Sequence, residues 1–154
     1  MDQESLETIL SLAIPWAKEQ EELILARGVS LGTQHLDDAR LAGVQDPSRI
    51  RVLVVERLPL PENPLLVQFA RQNQILTIAS RGCTFRYGIM IRADCWGDRE
   101  LLVHNLVHVA QCERLPDIET CIREYVSDRT QCAKFTTGSF EDEARRIARQ
   151  ICTR

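Results

Sequence analysis

Two histidines four residues apart, His104 and His108, lie in the stretch Val103-His104-Asn105-Leu106-Val107-His108-Val109. In a helix that spacing places both rings on one face about a turn apart, so each can aim an imidazole nitrogen at one ion. The pattern H-E-x-x-H adds a Glu after the first histidine, whose carboxylate takes a proton from metal-bound water and passes it on. Here that position is Asn105. An amide is no general base, yet it can hydrogen-bond and orient water, so binding can survive where turnover does not. The competing reading is a pair of neutral core histidines bonded to backbone or side chains. Leu101, Leu102, Val103, Leu106, Val107, Val109 and Ala110 make the segment apolar on nearly every side, which predicts a buried helix whose two polar rings need partners.

A zinc site built on two histidines needs a third protein ligand. The candidates fall in Glu141-Asp142-Glu143-Ala144. Glu141 would occupy the first turn of a helix, where the dipole favours a carboxylate. The plain alternative is that Glu141 with Arg145, and Asp142 with Arg146, are i, i+4 ion pairs on an exposed helix. Cys112 extends the histidines into an i, i+4, i+8 row, but such a row drifts by about 40° per step, which favours a packing thiol over a ligand. The six cysteines, Cys83, Cys95, Cys112, Cys121, Cys132 and Cys152, contain no C-x-x-C pair and no regular framework, so free buried thiols are expected.

These residues must be positioned by elements that the sequence also marks. Residues 4–27 have helical spacing, with Gly28 as a stop and Pro15 expected to kink or split the segment. A short helix is expected over 34–42 with Thr33 as its cap, and a strand over 50–57 as a central member of a sheet. Asn63 and Pro64 form an N-cap and N1 for a helix to about Gln72. Strands are expected at 75–79 and 84–92. Asp98 can cap the histidine helix, which should run to about Leu115 before Pro116; a further helix should cover 118–132. A turn at Thr136-Thr137-Gly138 leads to Ser139-Phe140-Glu141-Asp142, a capping-box pattern that opens the last helix.

The chain has 154 residues, 44% hydrophobic and 27% charged, which fits one domain with a real core. A net charge of -3, with arginines spread among carboxylates, argues against a nucleic-acid partner. No run of about 18 apolar residues is present, and the segment Met1 to Glu7 is acidic rather than a basic leader. A cytoplasmic protein without membrane association is expected.

The histidine region resembles the zincin metallopeptidases of the gluzincin type, and among them short bacterial metallopeptidases whose helix reads L-x-x-H-E-L-V-H-V-A-Q-Y-E-R-L. The matching residues are Leu101, His104, Leu106, Val107, His108, Val109, Ala110, Gln111, Glu113, Arg114 and Leu115. The likeness extends back through Tyr87 to Arg99 and forward to Glu141-x-Glu143-Ala144, covering roughly the C-terminal half, with Asp46 to Arg51 matching more loosely. The resemblance implies that Glu141 supplies the third ligand to one zinc ion, with Glu143 as the fallback. It also implies that the strand from Thr84 to Arg92 forms a cleft edge where an extended peptide or protein partner could pair. Three departures stand out: Asn105 replaces the general base, Arg145 replaces an acid that would support a ligand, and Cys112 stands where the group has Tyr. The resemblance therefore carries over to fold better than to activity.

The expected fold is α+β and zincin-like, in one domain over residues 1–154: N-terminal helices, a small β-sheet, a buried histidine-bearing helix and a C-terminal closing helix. The expected function is a metallopeptidase-related protein that binds zinc through His104, His108 and Glu141 and is catalytically weak or inactive. The alternatives are a metal-free, peptide-binding scaffold of the same fold, and an active hydrolase with Glu113 or Glu143 as substitute base.

Overall fold

The structure is a computed structural model that describes residues 2–132 and 139–153. Helix α1 (Gln3–Arg27) starts where the Asp2 carboxylate accepts the Ser5 amide at 2.8 Å. It runs through Pro15 without a break, so the expected split does not occur. Proline removes one backbone bond, and Ile14 and Ala17, buried on either side of it, hold the flanking turns against the core. Gly28 ends the helix for a reason of space rather than torsion. Its φ is -73°, and a Cβ there would lie 2.7 Å from the Ile24 carbonyl oxygen.

A short edge strand, β1 (Val29–Ser30), leads to α2 (Thr33–Leu41), whose N-cap is Gly32 and not Thr33. Strand β2 (Arg51–Val55) follows, then α3 (Pro64–Gln72), whose cap is as expected: Asn63 accepts the Leu65 amide at 2.9 Å and Pro64 is the first helical residue. Residues 75–79 do not form the expected strand. Hydroxyls divert the backbone into a turn, with the Thr77 amide donating to Ser80 Oγ and the Ala79 amide to Thr77 Oγ1. Ile78 is left 86% exposed.

The expected strand 84–92 is in fact a hairpin of β3 (Gly82–Phe85) and β4 (Gly88–Arg92), folded about Arg86 and Tyr87. Arg86 takes a left-handed φ of 55°, which lets Phe85 pair with Gly88 across a two-residue loop. The sheet order is β1-β2-β4-β3, parallel between β2 and β4 and antiparallel elsewhere. β4 is thus interior, and of the segment expected to be a cleft edge only the β3 half has an open side.

The α+β class follows from how the two faces of this mixed sheet are covered. Met90 packs with Ala17 and Ile24 of α1 on one face. Ile89 and Ile91 pack on the other face against Leu102, Val103, Leu106 and Val107 of α4 (Arg99–Glu113). Outside α4 lies α6 (Ser139–Cys152), through Ala144, Ala148 and Ile151. Helix α4 is therefore enclosed between sheet and helix, which explains its all-round apolar sequence. Asp98 caps it at Leu101, and a bidentate pair of Arg99 with buried Asp38, at 2.8 and 3.0 Å, ties its first turn to α2.

Helix α5 (Ile118–Cys132) is joined to α4 by a disulfide between Cys112 and Cys121. This corrects the expectation of free thiols: the turn at Pro116 brings the two Cα atoms within 5.3 Å. Cys83, Cys95 and Cys152 are free; the Cys132 side chain and the Thr136-Thr137-Gly138 turn lie outside the described residues. Among the described residues no helix is long and apolar enough to cross a membrane.

Candidate metal centre

Helix α4 presents His104 and His108 on one face, and α6 lays its first turn across that face. The Glu141 carboxylate bridges the rings, with Oε2 3.1 Å from His104 Nε2 and Oε1 2.9 Å from His108 Nε2. The two Nε2 atoms are 3.2 Å apart. The three residues are partly buried and their ligand atoms lie within 4.8 Å of one another, a group that could hold a metal ion.

The tautomer of His108 follows from its neighbours. The Gln111 amide nitrogen donates to the Phe140 carbonyl and to Glu143 Oε1, both at 3.0 Å. Both partners are acceptors, so the Gln111 oxygen must face His108 Nδ1, 2.7 Å away. That oxygen can only accept, so His108 Nδ1 carries a proton. A neutral His108 then presents a bare lone pair at Nε2, next to a carboxylate oxygen and a second imidazole nitrogen. A cation, or an added proton, is what such a convergence of acceptors calls for.

Glu141 also accepts a 2.7 Å hydrogen bond from Tyr125 Oη on α5. Burial alone would raise its pKa, but in the metal-free centre, with an added proton on the histidine pair in place of a cation, the contacts with His104, His108 and Tyr125 outweigh burial and hold the carboxyl well below the ordinary range. The Tyr125 phenol is pushed well above its ordinary value, first by burial and then by the Glu141 charge.

Asn105 faces the sheet rather than the histidines' partner helix. It is 3% exposed, its Nδ2 donates to the Leu101 carbonyl at 2.9 Å, and its Oδ1 accepts from Thr84 Oγ1 at 2.8 Å. Gly82 makes room for it, since a Cβ there would lie 2.9 Å from Asn105 Nδ2. The amide thus fastens α4 to β3.

The remaining candidates have other partners. Glu143, the fallback ligand, steadies Gln111 and lies 3.4 Å from Arg114. The Glu113 carboxylate, named as a substitute base, is engaged elsewhere: it accepts from the amides of Gln45 and Asp46 and from the Tyr87 hydroxyl, at 2.6, 3.0 and 2.8 Å. Cys112 is held in its disulfide and ligates nothing. Arg145 lies 3.3 Å from Asp142. No protein-family model, curated protein or solved structure matches this chain.

Two residues of the centre escaped the sequence reading. Gln111 carried a local signal, three residues after His108 and so on the same helix face. Tyr125 carried none, because only the docking of α5 brings it to Glu141. The group opens onto a cavity of about 390 Å³ that runs along β3 and between α1, α3 and α5.

Proposed function

We propose that this chain is a zincin-like, metallopeptidase-related domain that holds one zinc ion through His104, His108 and Glu141 and hydrolyses peptides weakly or not at all. One observation carries the reading: Gln111 fixes the proton of a neutral His108 on Nδ1, so the His108 Nε2 lone pair faces the Glu141 carboxylate at 2.9 Å and His104 Nε2 at 3.2 Å. Two imidazoles and a carboxylate are also the donor set of a catalytic zinc site, which keeps a fourth position open. Zinc bound there would supply Lewis-acid polarisation of a carbonyl or of water.

The chain's own residues supply the rest. Gln111 and Tyr125 orient two of the three ligands, and the apolar surroundings of α4 limit water. Asn105, at the position of the general base, offers an amide that is already committed to Thr84 and Leu101, so no group there takes up a proton. Elemental analysis of the purified chain dialysed against zinc tests the proposal. About one zinc per chain, lost in His104→Ala, is expected; no zinc in either protein would overturn it.

A second reading, a metal-free scaffold that binds a peptide or protein partner, draws on β3. That strand has a single partner in the sheet and its residues Gly82 to Phe85 line the cavity, so an extended segment could add to its open side. Peptide capture unchanged by chelator, together with zinc-free protein, would favour this reading over the first.

A further inference from the structure

Helix α5 is fastened to both halves of the metal centre by one face. Cys121, Tyr125 and Asp128 stand at i, i+4 and i+7, positions that lie on the same side of a helix. Cys121 is bonded to Cys112 in the last turn of α4, the residue after Gln111 and four after His108. Tyr125 Oη donates to Glu141 at 2.7 Å. Asp128 caps α6 from outside: its carboxylate accepts the Ser139 and Phe140 amides, at 3.3 and 3.2 Å, and the Ser139 hydroxyl. The first amides of a helix have no partner within it, so Asp128 fixes where α6 begins. Glu141 follows directly. The two histidines thus belong to α4 and the carboxylate to α6, and α5 joins the two helices.

The joint to α4 is covalent and lies close to the pivot, since only residues 114–117 separate the two helices. At 1.5 Å per residue, Tyr125 and Asp128 lie about 6 and 10 Å beyond Cys121 along the axis, so a tilt of α5 about its start moves them most. Ile118, Ile122 and Val126 hold α5 in the core it shares with α1, so opening the bond loosens the helix without detaching it. We propose that the Cys112–Cys121 bond is a redox switch on the metal centre: its reduction slackens the hold of α5 on the first turn of α6 and thereby weakens zinc binding by Glu141. The step is thiol–disulfide exchange with a dithiol reductant. A thiolate of the reductant attacks the sulfur of Cys121, which is partly exposed and lines the cavity, whereas Cys112 is buried. Cys112 leaves as a thiolate and takes a proton; the second thiol of the reductant then releases Cys121 as a thiol. The reductant ends as its own disulfide, having given two electrons and two protons. The inference rests on the zinc reading for its ligand, but the slackening of α6 does not require the metal.

The test compares the oxidised chain with the chain reduced by a phosphine and desalted without oxygen. Zinc affinity is read by competition with a chelating dye, and exchange of the Phe140 amide hydrogen is followed by NMR in metal-free protein. Reduction should weaken zinc about tenfold, the lower end for loss of a ligand-supporting group, and should speed exchange at Phe140, whose amide is protected by Asp128. Asp128→Ala should weaken zinc by itself and blunt the response to reductant, because both changes act through α5; a merely structural role would leave that response at full size. The double variant Cys112→Ser, Cys121→Ser should match the reduced chain and ignore reductant. Should it fail to fold, the two redox states of the unaltered chain still decide. Equal zinc affinity in the two states would overturn the proposal, and so would tighter binding after reduction, which would make Cys112 a ligand. If neither state binds zinc, the zinc reading fails; faster exchange at Phe140 after reduction would then still uphold the coupling through α5, and unchanged exchange would overturn it.

Discussion

Replacing Gln111 separates what holds the metal centre from what holds the fold. Its oxygen accepts the His108 Nδ1 proton, and its nitrogen donates to Phe140 and Glu143 on α6. Gln111→Met removes all three bonds at nearly constant volume. Without the acceptor, His108 is free to change tautomer and rotate, and loss of such a ligand-supporting group typically weakens metal affinity by 10- to 100-fold, or about 1.4–2.8 kcal/mol. The two bonds to α6 contribute roughly 2 kcal/mol together to the metal-free fold, with the Glu143 bond discounted for its partial exposure. Gln111→Glu provides the contrast: it keeps an acceptor for Nδ1 but replaces the donors with a carboxylate oxygen set against Glu143 and the Phe140 carbonyl, so it should retain zinc affinity while losing at least as much stability. Zinc affinity is read by competition with a chelating dye, and stability by urea unfolding in chelator. Refutation would come from Gln111→Met binding zinc like the parent while its stability falls, since Gln111 would then be only a strut between helices.

Other consequences can be checked separately. Asn105→Glu in zinc-loaded protein should introduce chelator-sensitive peptide hydrolysis about 10²- to 10⁴-fold above the parent, the usual contribution of a general base; a zinc-loaded variant with no gain would mean that more than the base is missing. The Cys112–Cys121 bond closes a short loop, with a sequence separation of 9, so the double Cys→Ser variant should be less stable by about 2–3 kcal/mol in urea. Finding both thiols free in native protein would contradict it. Both tyrosines are raised above their ordinary value of 10.0, Tyr87 by burial and its bond to Glu113, and Tyr125 by burial and Glu141, so tyrosinate absorbance should begin only above pH 10 in folded protein. Because the Glu141 carboxyl is held below its ordinary value of 4.5, its contribution to metal-free stability is complete above that pH and is lost as pH falls below it. Glu141→Gln should therefore flatten the acid limb of the stability profile, and an unchanged limb would count against the network.

What could be read in advance followed the range of each signal. Asp98 before the histidine helix and Asn63-Pro64 before α3 act within one turn, so their caps were legible and the helices began where expected. The hairpin was hidden because its turn uses Arg86 in a left-handed conformation instead of a glycine, leaving an apparently continuous strand. Ile75, Leu76 and Ile78 looked like a strand until Thr77 and Ser80 bonded to the backbone and bent it. The same rule governs the site. His104 and His108 declare themselves through i, i+4 spacing, whereas Glu141 is 37 residues from His104, and only the family resemblance chose it over Glu143. Their opposite fates are decided by register on α6: Glu141 points at the two Nε2 atoms, and Glu143, two residues on, reaches the far side of His108 through Gln111. Arg129 was the least legible, since an arginine in a polar helix reads as solvated. Its burial depends on the Asn73 carbonyl, at the end of α3, accepting two of its nitrogens. The third nitrogen is then left buried without a hydrogen-bond partner among the described residues, which no local pattern could announce.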